Sequence, residues 1–331
     1  MATTIRDVAS RAGVSIATVS RALRDADSVT AETRARVARA AADLDYVPSQ
    51  LGRQLAERRH AANGIVFPDL SGPYFAEVVL GYEAAAAELD HAVLILSTHG
   101  RSDADALATR LAARTDGLVV LAGTVSDALV QRLVSRGTPV VLVARTRVDG
   151  ADSLNAENTS AAARLARHLV DVGARTIRFV GDPAASSDAA ERYESLAAVA
   201  GAMGAEVTIE LTTGFGEDAG LRVAADAVLS SGLPDAFACA NDELALGLWL
   251  GLRQAGVTVP DDTLISGWDD VMAARHAGLT TVRQPMRELG ARAALLLDEL
   301  IKGTREVPVH EVLATDLIVR TSTTPPGGTR P

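Results

Sequence analysis

Residues 5–23, IRDVASRAGVSIATVSRAL, predict two short helices joined by a tight turn. Apolar residues recur at helical spacing before Gly13 and would form one buried face: Ile5, Val8, Ala9 and Ala12. Gly13 tolerates the left-handed conformation that ends a helix, and the Ser15 hydroxyl can cap the helix that follows. In that second helix we expect an inward face formed by Val19, Ala22 and Leu23. The pattern is typical of a helix-turn-helix, with an ordinary helical hairpin as the alternative.

The same residues carry the run DVA..AGVS..TVSR.L, and through it the chain resembles the LacI/GalR family of bacterial transcription regulators. The run is highly specific, every element of it is present, and the resemblance extends over residues 3–322. It implies a DNA-binding head, a hinge helix that folds on DNA, and a core similar to periplasmic sugar-binding proteins. It also implies a homodimer that binds double-stranded DNA at a palindromic operator.

Composition indicates a globular protein. The 331 residues are 48% hydrophobic with a mean hydropathy of +0.15. No apolar run approaches the roughly 18 residues that span a bilayer. Arg6 and Asp7 interrupt any signal-peptide pattern at once, and the single cysteine, Cys239, fits a reducing compartment. We therefore expect a cytoplasmic, nucleoid-associated protein with no membrane partner.

Charge is divided unevenly along the chain. The net charge is −10, yet residues 1–60 hold ten arginines and seven acids, so this segment carries +3 and the remainder −13. A basic segment attached to an acidic body is typical of a protein that places one end on nucleic acid.

A third helix is predicted from about residue 31 to residue 44, with Thr30 as its cap. Residues 48–62 would then form the hinge helix and a linker. Leu55 occupies the position of the family's leucine wedge, and an apolar side chain inserted between base steps bends DNA. By the resemblance, two such leucines would meet at a central C–G step. The alternative for Leu55 is an ordinary linker leucine.

From residue 64 onward, short apolar runs alternate with helix-length amphipathic segments, which predicts βαβ units and parallel sheets covered on both faces. The strand candidates are residues 64–67, 92–97, 117–121, 139–144, 176–181, 236–240 and 264–268. So many strands favour two adjacent subdomains over one sheet. The predicted fold class is therefore α/β: an all-α helix-turn-helix head followed by two doubly wound parallel-sheet subdomains of periplasmic-binding-protein type.

The predicted domains are a DNA-binding domain at residues 1–47, the hinge and linker at 48–62, and an effector-binding core at 63–322. The resemblance divides the core into about 63–160 with 286–312, and 161–285 with 313–322. The Pro- and Gly-rich tail, residues 323–331, is predicted to be disordered.

For DNA, the outward face of the second helix matters most. Arg21 can reach a guanine or a phosphate, and a bidentate guanine contact is worth about 1–3 kcal/mol of discrimination. Ile16 and Ala17 can pack on a thymine methyl but their side chains cannot donate hydrogen bonds. The predicted DNA-binding residues are Thr4, Ser15, Ile16, Ala17, Thr18, Ser20, Arg21 and Leu55.

Four further strings, residues 66–75, 239–242, 266–270 and 280–285, match the family's ligand-binding motifs. Carboxylates, amides and aromatic rings together suit a sugar, whose hydroxyls meet the polar groups and whose C–H face meets a ring. The predicted ligand-binding residues are Asp69, Tyr74, Phe75, Ser186, Asp188, Arg192, Phe215, Asn241, Asp269 and Gln284.

Structural roles are the alternatives for several of these residues. For Asn241 and Asp269 the alternative is a helix cap or a loop contact, and for Asp188 with Arg192 it is a plain surface pair. Ala144 stands where several sugar-responsive relatives have Asp, which leaves the identity of the ligand open.

These features predict a repressor of a carbohydrate-related operon in which a sugar in the core controls DNA binding. The alternatives are a nucleobase or phosphorylated metabolite as the ligand, or a sugar-binding protein with no role on DNA. We predict no cofactor, no metal site and no catalytic residue, hence no enzyme. The chain has no GK[ST] phosphate loop and no GxSxG elbow, and its six histidines are scattered.

Overall fold

The computed structural model describes residues 3–23, 29–46, 60–68, 70–229, 232–305 and 307–324. Contacts divide the chain into two compact units, Met1–His60 and Ala61–Pro331. None of the described helices is both long and apolar enough to cross a lipid bilayer.

The first unit contains three helices, α1 (Ile5–Ala12), α2 (Ile16–Leu23) and α3 (Ala31–Asp43). Each helix contributes a fully buried valine to their shared core: Val8, Val19 and Val37. Gly13 ends α1 with a φ of 63°, and the Thr30 hydroxyl caps α3 by accepting the Thr33 amide at 3.3 Å. The predicted helix-turn-helix and third helix are confirmed.

The second unit begins with a six-stranded parallel sheet. Its strands are β1 (Ala62–Phe67), β2 (Ala92–Ser97), β3 (Leu118–Leu121), β4 (Val140–Val143), β5 (Asp152–Ala156) and β11 (His310–Leu313), in the order β11-β5-β4-β3-β1-β2. Helices α4 (Pro73–Glu88) and α12 (Met286–Lys302) pack on one apolar cluster, and α5 (Ala104–Ala112) and α6 (Asp127–Ser135) pack on another. We call this sheet with its helices the amino half.

The remainder of the second unit, which we call the carboxyl half, is built on a four-stranded parallel sheet. Its strands are β6 (Thr176–Val180), β7 (Glu206–Glu210), β8 (Ala236–Cys239) and β9 (Leu264–Ser266), in the order β7-β6-β8-β9. Its helices are α7 (Thr159–Asp171), α8 (Ser187–Ala202), α9 (Glu217–Leu229), α10 (Asp242–Gln254) and α11 (Met272–Ala277). An antiparallel pair, β10 (Thr281–Arg283) with β12 (Asp316–Ile318), completes it.

Three chain passages join the two halves. The first leads from β5 into α7, the second from β10 into α12, and the third from β11 into β12. The first and third passages are hydrogen-bonded to each other, because the Glu157 amide donates to the Leu313 carbonyl at 2.8 Å and the Thr315 hydroxyl donates to the Glu157 carbonyl at 2.9 Å. The first and third passages therefore lie side by side.

The predicted α/β fold class is confirmed, and the structure adds strands that apolar patterning did not reveal: β5, β7, β10, β11 and β12. Strand β5 reads DSLNA, and its first residue is a buried acid. The Asp152 carboxylate accepts hydrogen bonds from Arg305 and from the Val309 amide, and these distant partners make its burial possible.

The segment predicted to be disordered, residues 323–331, begins inside the ordered part of the structure. Thr323 was assigned to it, yet Thr323 is fully buried and its hydroxyl lies 2.7 Å from both Thr280 Oγ1 and His168 Nε2. Two side-chain hydrogen bonds therefore fix this position, and the prediction is wrong there. The remaining tail positions, 325–331, lie outside the described residues.

Candidate functional site

The exposed face of α2 holds the predicted base-contacting side chains. Ile16 is 45% exposed, and Ala17 and Arg21 are exposed on the same helix. Arg21 Nε donates to the Ala17 carbonyl at 3.2 Å, so the guanidinium lies along the helix surface. Leu55 lies outside the described residues, and its role as a wedge stays a prediction.

The turns before α1 and α2 hold the polar candidates. The Ser15 hydroxyl accepts the Thr18 amide at 3.1 Å and lies 2.9 Å from the Thr18 hydroxyl, so Ser15 caps α2. Thr4 donates to the Asp7 carboxylate through its hydroxyl at 2.7 Å and its amide at 2.8 Å, and these bonds hold the pKa of Asp7 below its usual value. Ser20 is half-buried. Their contacts with DNA stay predictions.

A cavity of about 720 Å³ lies between the amino and carboxyl halves. Its lining comes from segments that follow the carboxyl ends of parallel strands, which is where ligands bind in open α/β sheets. The structure brings together nine of the ten predicted ligand-binding residues here: Tyr74, Phe75, Ser186, Asp188, Arg192, Phe215, Asn241, Asp269 and Gln284. Asp69, the tenth, lies outside the described residues.

Arg192 is the central cation of the cavity wall. Its side chain is 8% exposed, its Nη2 lies 3.6 Å from Asp188 Oδ2, and its Nη1 donates to the Ala240 carbonyl at 2.9 Å. The guanidinium carbon stands 4.5 Å from the centre of the Trp268 ring, a cation–π arrangement. Arg192 is thus buried and Asp188 half-buried in an oriented pair, and the alternative of a plain surface pair is wrong.

Asp269 is the central acid of the same wall. It is 4% exposed, its backbone φ is 119°, and its Oδ1 accepts Gln284 Nε2 at 2.6 Å. Burial raises the pKa of Asp269 well above its usual value, although the charge of Arg192 opposes this. A backbone held in a sparsely populated region at a cavity wall points to a functional position.

Two polar atoms in the lining lack hydrogen-bond partners among the described residues. They are the Tyr74 hydroxyl and Gln284 Oε1, and both are buried. Burial raises the pKa of Tyr74, and the neighbouring charges of Asp188 and Asp269 add to the effect. Tyr74 also packs edge-on against Phe75, with ring centres 5.1 Å apart. Because buried polar groups normally find partners, this pair of atoms favours a ligand with hydroxyl groups.

Asn241 and Ser186 serve the protein itself. Asn241 Oδ1 accepts the Leu244 amide at 3.0 Å and its Nδ2 donates to the Phe215 carbonyl at 2.9 Å, so it caps α10 and fixes the loop that carries the Phe215 ring. The Ser186 hydroxyl caps α8 by accepting the Ala189 amide at 3.3 Å. Both residues border the cavity, and direct contact with a ligand stays a prediction.

Sequence analysis missed three titratable residues of the lining: His99, Arg101 and Glu243. His99 and Arg101 follow β2, and Glu243 follows the Asn241-Asp242 string by one position. The position of a segment after a parallel strand is a signal that would have found the first two.

Comparison with known proteins matches each unit to a family model. Residues 4–49 match the model of bacterial regulatory proteins of the lacI family, and residues 166–323 match the periplasmic binding protein-like domain. The chain is 30% identical over 302 residues to catabolite control protein A of Staphylococcus xylosus, covering 90% of this chain and 92% of that protein. It is 28% identical over 322 residues to the same protein of Staphylococcus aureus, covering 94% and 98%.

Solved structures give the same result. A lac repressor dimer bound to operator and the anti-inducer ONPF matches with a TM-score of 0.87 and 25% identity over 98% of this chain and 99% of that one. The transcriptional regulator CelR in complex with cellobiose matches with a TM-score of 0.72 and 28% identity over 97% and 99%. These relatives are regulators rather than enzymes. The chain therefore belongs to the lacI family of bacterial regulatory proteins and is a DNA-binding transcriptional regulator.

Proposed function

We propose that this chain is a cytoplasmic repressor, associated with the nucleoid, that binds a palindromic operator as a homodimer and is controlled by a sugar in the cavity. The observation that carries the sugar proposal is the cavity itself, with the buried Tyr74 hydroxyl and Gln284 Oε1 unpartnered among the described residues. A sugar hydroxyl supplies both a donor and an acceptor, so it can satisfy both atoms.

Dimeric operator binding is supported by the match to a lac repressor dimer on its operator. The exposed face of α2 offers Arg21 for a base or phosphate, and Ile16 for a thymine methyl. Two copies related by a two-fold axis would present two such helices to two half-sites. A ligand in the cavity would act on DNA binding by favouring one relative position of the amino halves of the two copies. That position would in turn control whether the hinge helices form.

The DNA proposal is tested by selecting double-stranded DNA from a random pool and titrating the selected site. Arg21→Ala should weaken binding by about 1–3 kcal/mol and relax the base preference at one position in each half-site. Arg39→Ala is the matched control, because Arg39 Nε also donates to the carbonyl four residues earlier, on α3. Equal losses for the two variants would contradict base contact by Arg21. Deletion of residues 1–60 should abolish binding.

The wedge proposal concerns Leu55. Leu55→Ala should weaken binding to the selected site much more than binding to unrelated DNA, because only the specific complex repays the cost of bending. A footprinting titration on both DNAs measures the two losses, and equal losses would contradict a wedge.

The effector proposal is tested by thermal shift with monosaccharides, disaccharides including cellobiose, and sugar phosphates. Cellobiose is included because CelR is known in complex with it. A ligand at a hundred times its Kd stabilises the native state by about 2.7 kcal/mol, which the melting temperature reports. Asp269→Ala should abolish the shift, whereas Asp218→Ala, an exposed acid on α9, should preserve it. A shift that survives Asp269→Ala would place the sugar elsewhere.

A phosphorylated sugar is the second candidate effector, and Arg101 favours it. Arg101 is exposed in the cavity lining and forms no ion pair with any residue that the structure describes. A guanidinium suits a phosphate group because it binds two oxygens at once. If sugar phosphates shift the melting temperature and plain sugars do not, Arg101→Gln should remove the shift.

A further inference from the structure

Asn158 lies in the first passage, directly after β5 leaves the amino half and directly before α7 opens the carboxyl half. It is 2% exposed. Its backbone carbonyl accepts the Ala162 amide at 2.9 Å, so the residue belongs to the first turn of α7. Asn158 is therefore fixed to the helix that begins where the chain changes halves.

Both the nitrogen and the oxygen of the Asn158 side-chain amide form hydrogen bonds. Its Nδ2 donates to Asp188 Oδ1 at 3.1 Å and to Glu191 Oε2 at 3.0 Å. Its Oδ1 accepts Arg192 Nε at 2.8 Å. One buried amide thus holds both members of the Asp188–Arg192 pair in the cavity wall.

Only an amide satisfies this arrangement. Two carboxylates face the nitrogen and a guanidinium faces the oxygen, so both the donor and the acceptor of the amide meet complementary charge. An aspartate at this position would place a third carboxylate against Asp188 and Glu191. A leucine would leave the buried Arg192 Nε and the Asp188 carboxylate short of a partner each.

The second passage has a parallel arrangement. Gln284 follows β10 and precedes α12, and its Nε2 donates to Asp269 Oδ1 at 2.6 Å. Two of the three passages therefore bind an acid of the cavity wall through a buried side-chain amide. Gln284 itself borders the cavity, whereas Asn158 acts through Asp188 and Arg192.

We propose that Asn158 is a positioning residue that ties the Asp188–Arg192 pair of the cavity wall to the first chain passage. A change at this pair, such as the binding of a ligand, is then transmitted through the Asn158 amide to the first turn of α7. The assignment of the cavity as the effector site rests on the proposed function, but the hydrogen-bond link does not require any ligand.

The test is hydrogen–deuterium exchange of the full-length chain, read at the backbone amides of residues 159–162. Asp188→Asn, which removes the charge and keeps the shape, should speed exchange there by about fivefold, because a carboxylate is a stronger hydrogen-bond acceptor than the neutral amide that replaces it. In the Asn158→Leu background, where the link is already cut, Asp188→Asn should add nothing further. Asp218→Asn, which removes the charge of an exposed acid on α9 outside the cavity lining, is the matched control and should leave these amides unchanged.

An equal effect of Asp188→Asn in both backgrounds would overturn the proposal, and so would unchanged exchange in Asn158→Leu alone. If Asn158→Leu does not fold, Asn158→Asp replaces it, because it keeps the acceptor for Arg192 and loses the donor. The protection factors of these amides in this variant, which correct for the intrinsic pH dependence of exchange, should rise again as the pH is lowered and the new carboxyl gains a proton to donate. A negative sugar screen would contradict the proposed effector and would leave these exchange results standing.

Discussion

Asp242 is a buried acid through which the stability of the carboxyl half can depend on pH. It is fully buried at the start of α10, where its Oδ1 accepts the Thr281 hydroxyl at 2.6 Å and its Oδ2 accepts the Val271 amide at 2.9 Å. Burial raises the pKa of Asp242 to about 7, against the opposing effect of these hydrogen bonds. The acid therefore titrates in the folded protein near neutral pH.

This gives a prediction for Asp242→Asn. Because the folded pKa is raised, the contribution of Asp242 to stability is complete below its unfolded value near pH 4 and is lost as the pH rises through 7. The free energy of unfolding of the wild type should therefore fall, relative to the variant, by about 3 kcal/mol between pH 4 and pH 8. Urea unfolding across this range measures it. Parallel pH profiles would show that Asp242 is not the titrating group.

Helix packing in the amino half depends on two glycines. A Cβ on Gly290 of α12 would lie 1.9 Å from the Val78 carbonyl of α4, and a Cβ on Gly81 of α4 would lie 2.0 Å from the Arg287 carbonyl. The two helices thus meet backbone to backbone. Since α12 follows the second passage, this contact anchors the returning chain on the amino half.

Gly290→Ala should destabilise the protein by about 2–3 kcal/mol, because the added methyl meets backbone atoms that cannot rotate away. Gly201→Ala is the control: Gly201 lies in α8 with no neighbouring atom within 4 Å of the new methyl, and it should stabilise by about 0.5 kcal/mol. Chemical unfolding of both variants gives the two values. A neutral Gly290→Ala would mean that the helices separate at no cost.

The start of α7 depends on Glu157. Its carboxylate accepts the Ser160 amide at 2.5 Å and the Ala161 amide at 3.0 Å, and although burial raises the pKa of Glu157, these hydrogen bonds outweigh burial and lower it. Glu157→Gln should lower the free energy of unfolding by about 1 kcal/mol at neutral pH, the usual size of a helix cap. The difference should vanish as the pH falls through the lowered pKa of the wild type. A loss that persists in acid would have another cause.

The two compact units have separate hydrophobic cores. One cluster contains Val8, Val19 and Val37 with other residues of the first unit. The clusters of the second unit contain only residues that follow position 61. The division of charge follows the same boundary, with +3 on residues 1–60 and −13 on the rest. Each unit therefore has a hydrophobic core of its own, and the net positive charge lies on the first.

We predict that residues 61–331 fold on their own. Their thermal transition should match the main transition of the full chain, because no described apolar cluster of this unit includes a residue of the first. In a titration with the selected operator, the fragment should show no specific binding, while any effector should shift both proteins equally. A fragment that fails to fold would show that the head stabilises the core.

Sequence by itself determined the three-helix head and the alternation of apolar strands with helices in the rest of the chain. The helix-turn-helix depends on residues within one or two turns of each other, such as Gly13 at φ 63° and the Ser15 hydroxyl on the Thr18 amide, so local physics fixes it. Apolar strands such as β3 and β4 could also be predicted from a short stretch of sequence, because a continuous run of apolar side chains is stable only when it is buried. The cavity residues came from family motifs placed at strand ends.

Only the tertiary structure decided how distant polar groups pair. Asp152 can be buried in β5 because Arg305, 153 positions later, folds back onto it, and Asn158 reaches Asp188 and Arg192 across 30 and 34 positions. Sequence alone predicts that such a polar side chain is exposed, because the hydrogen-bond partner that compensates its burial is far away in the chain. Strand β5 and the Asn158 link, which the sequence did not reveal, are therefore features that depend on such pairs.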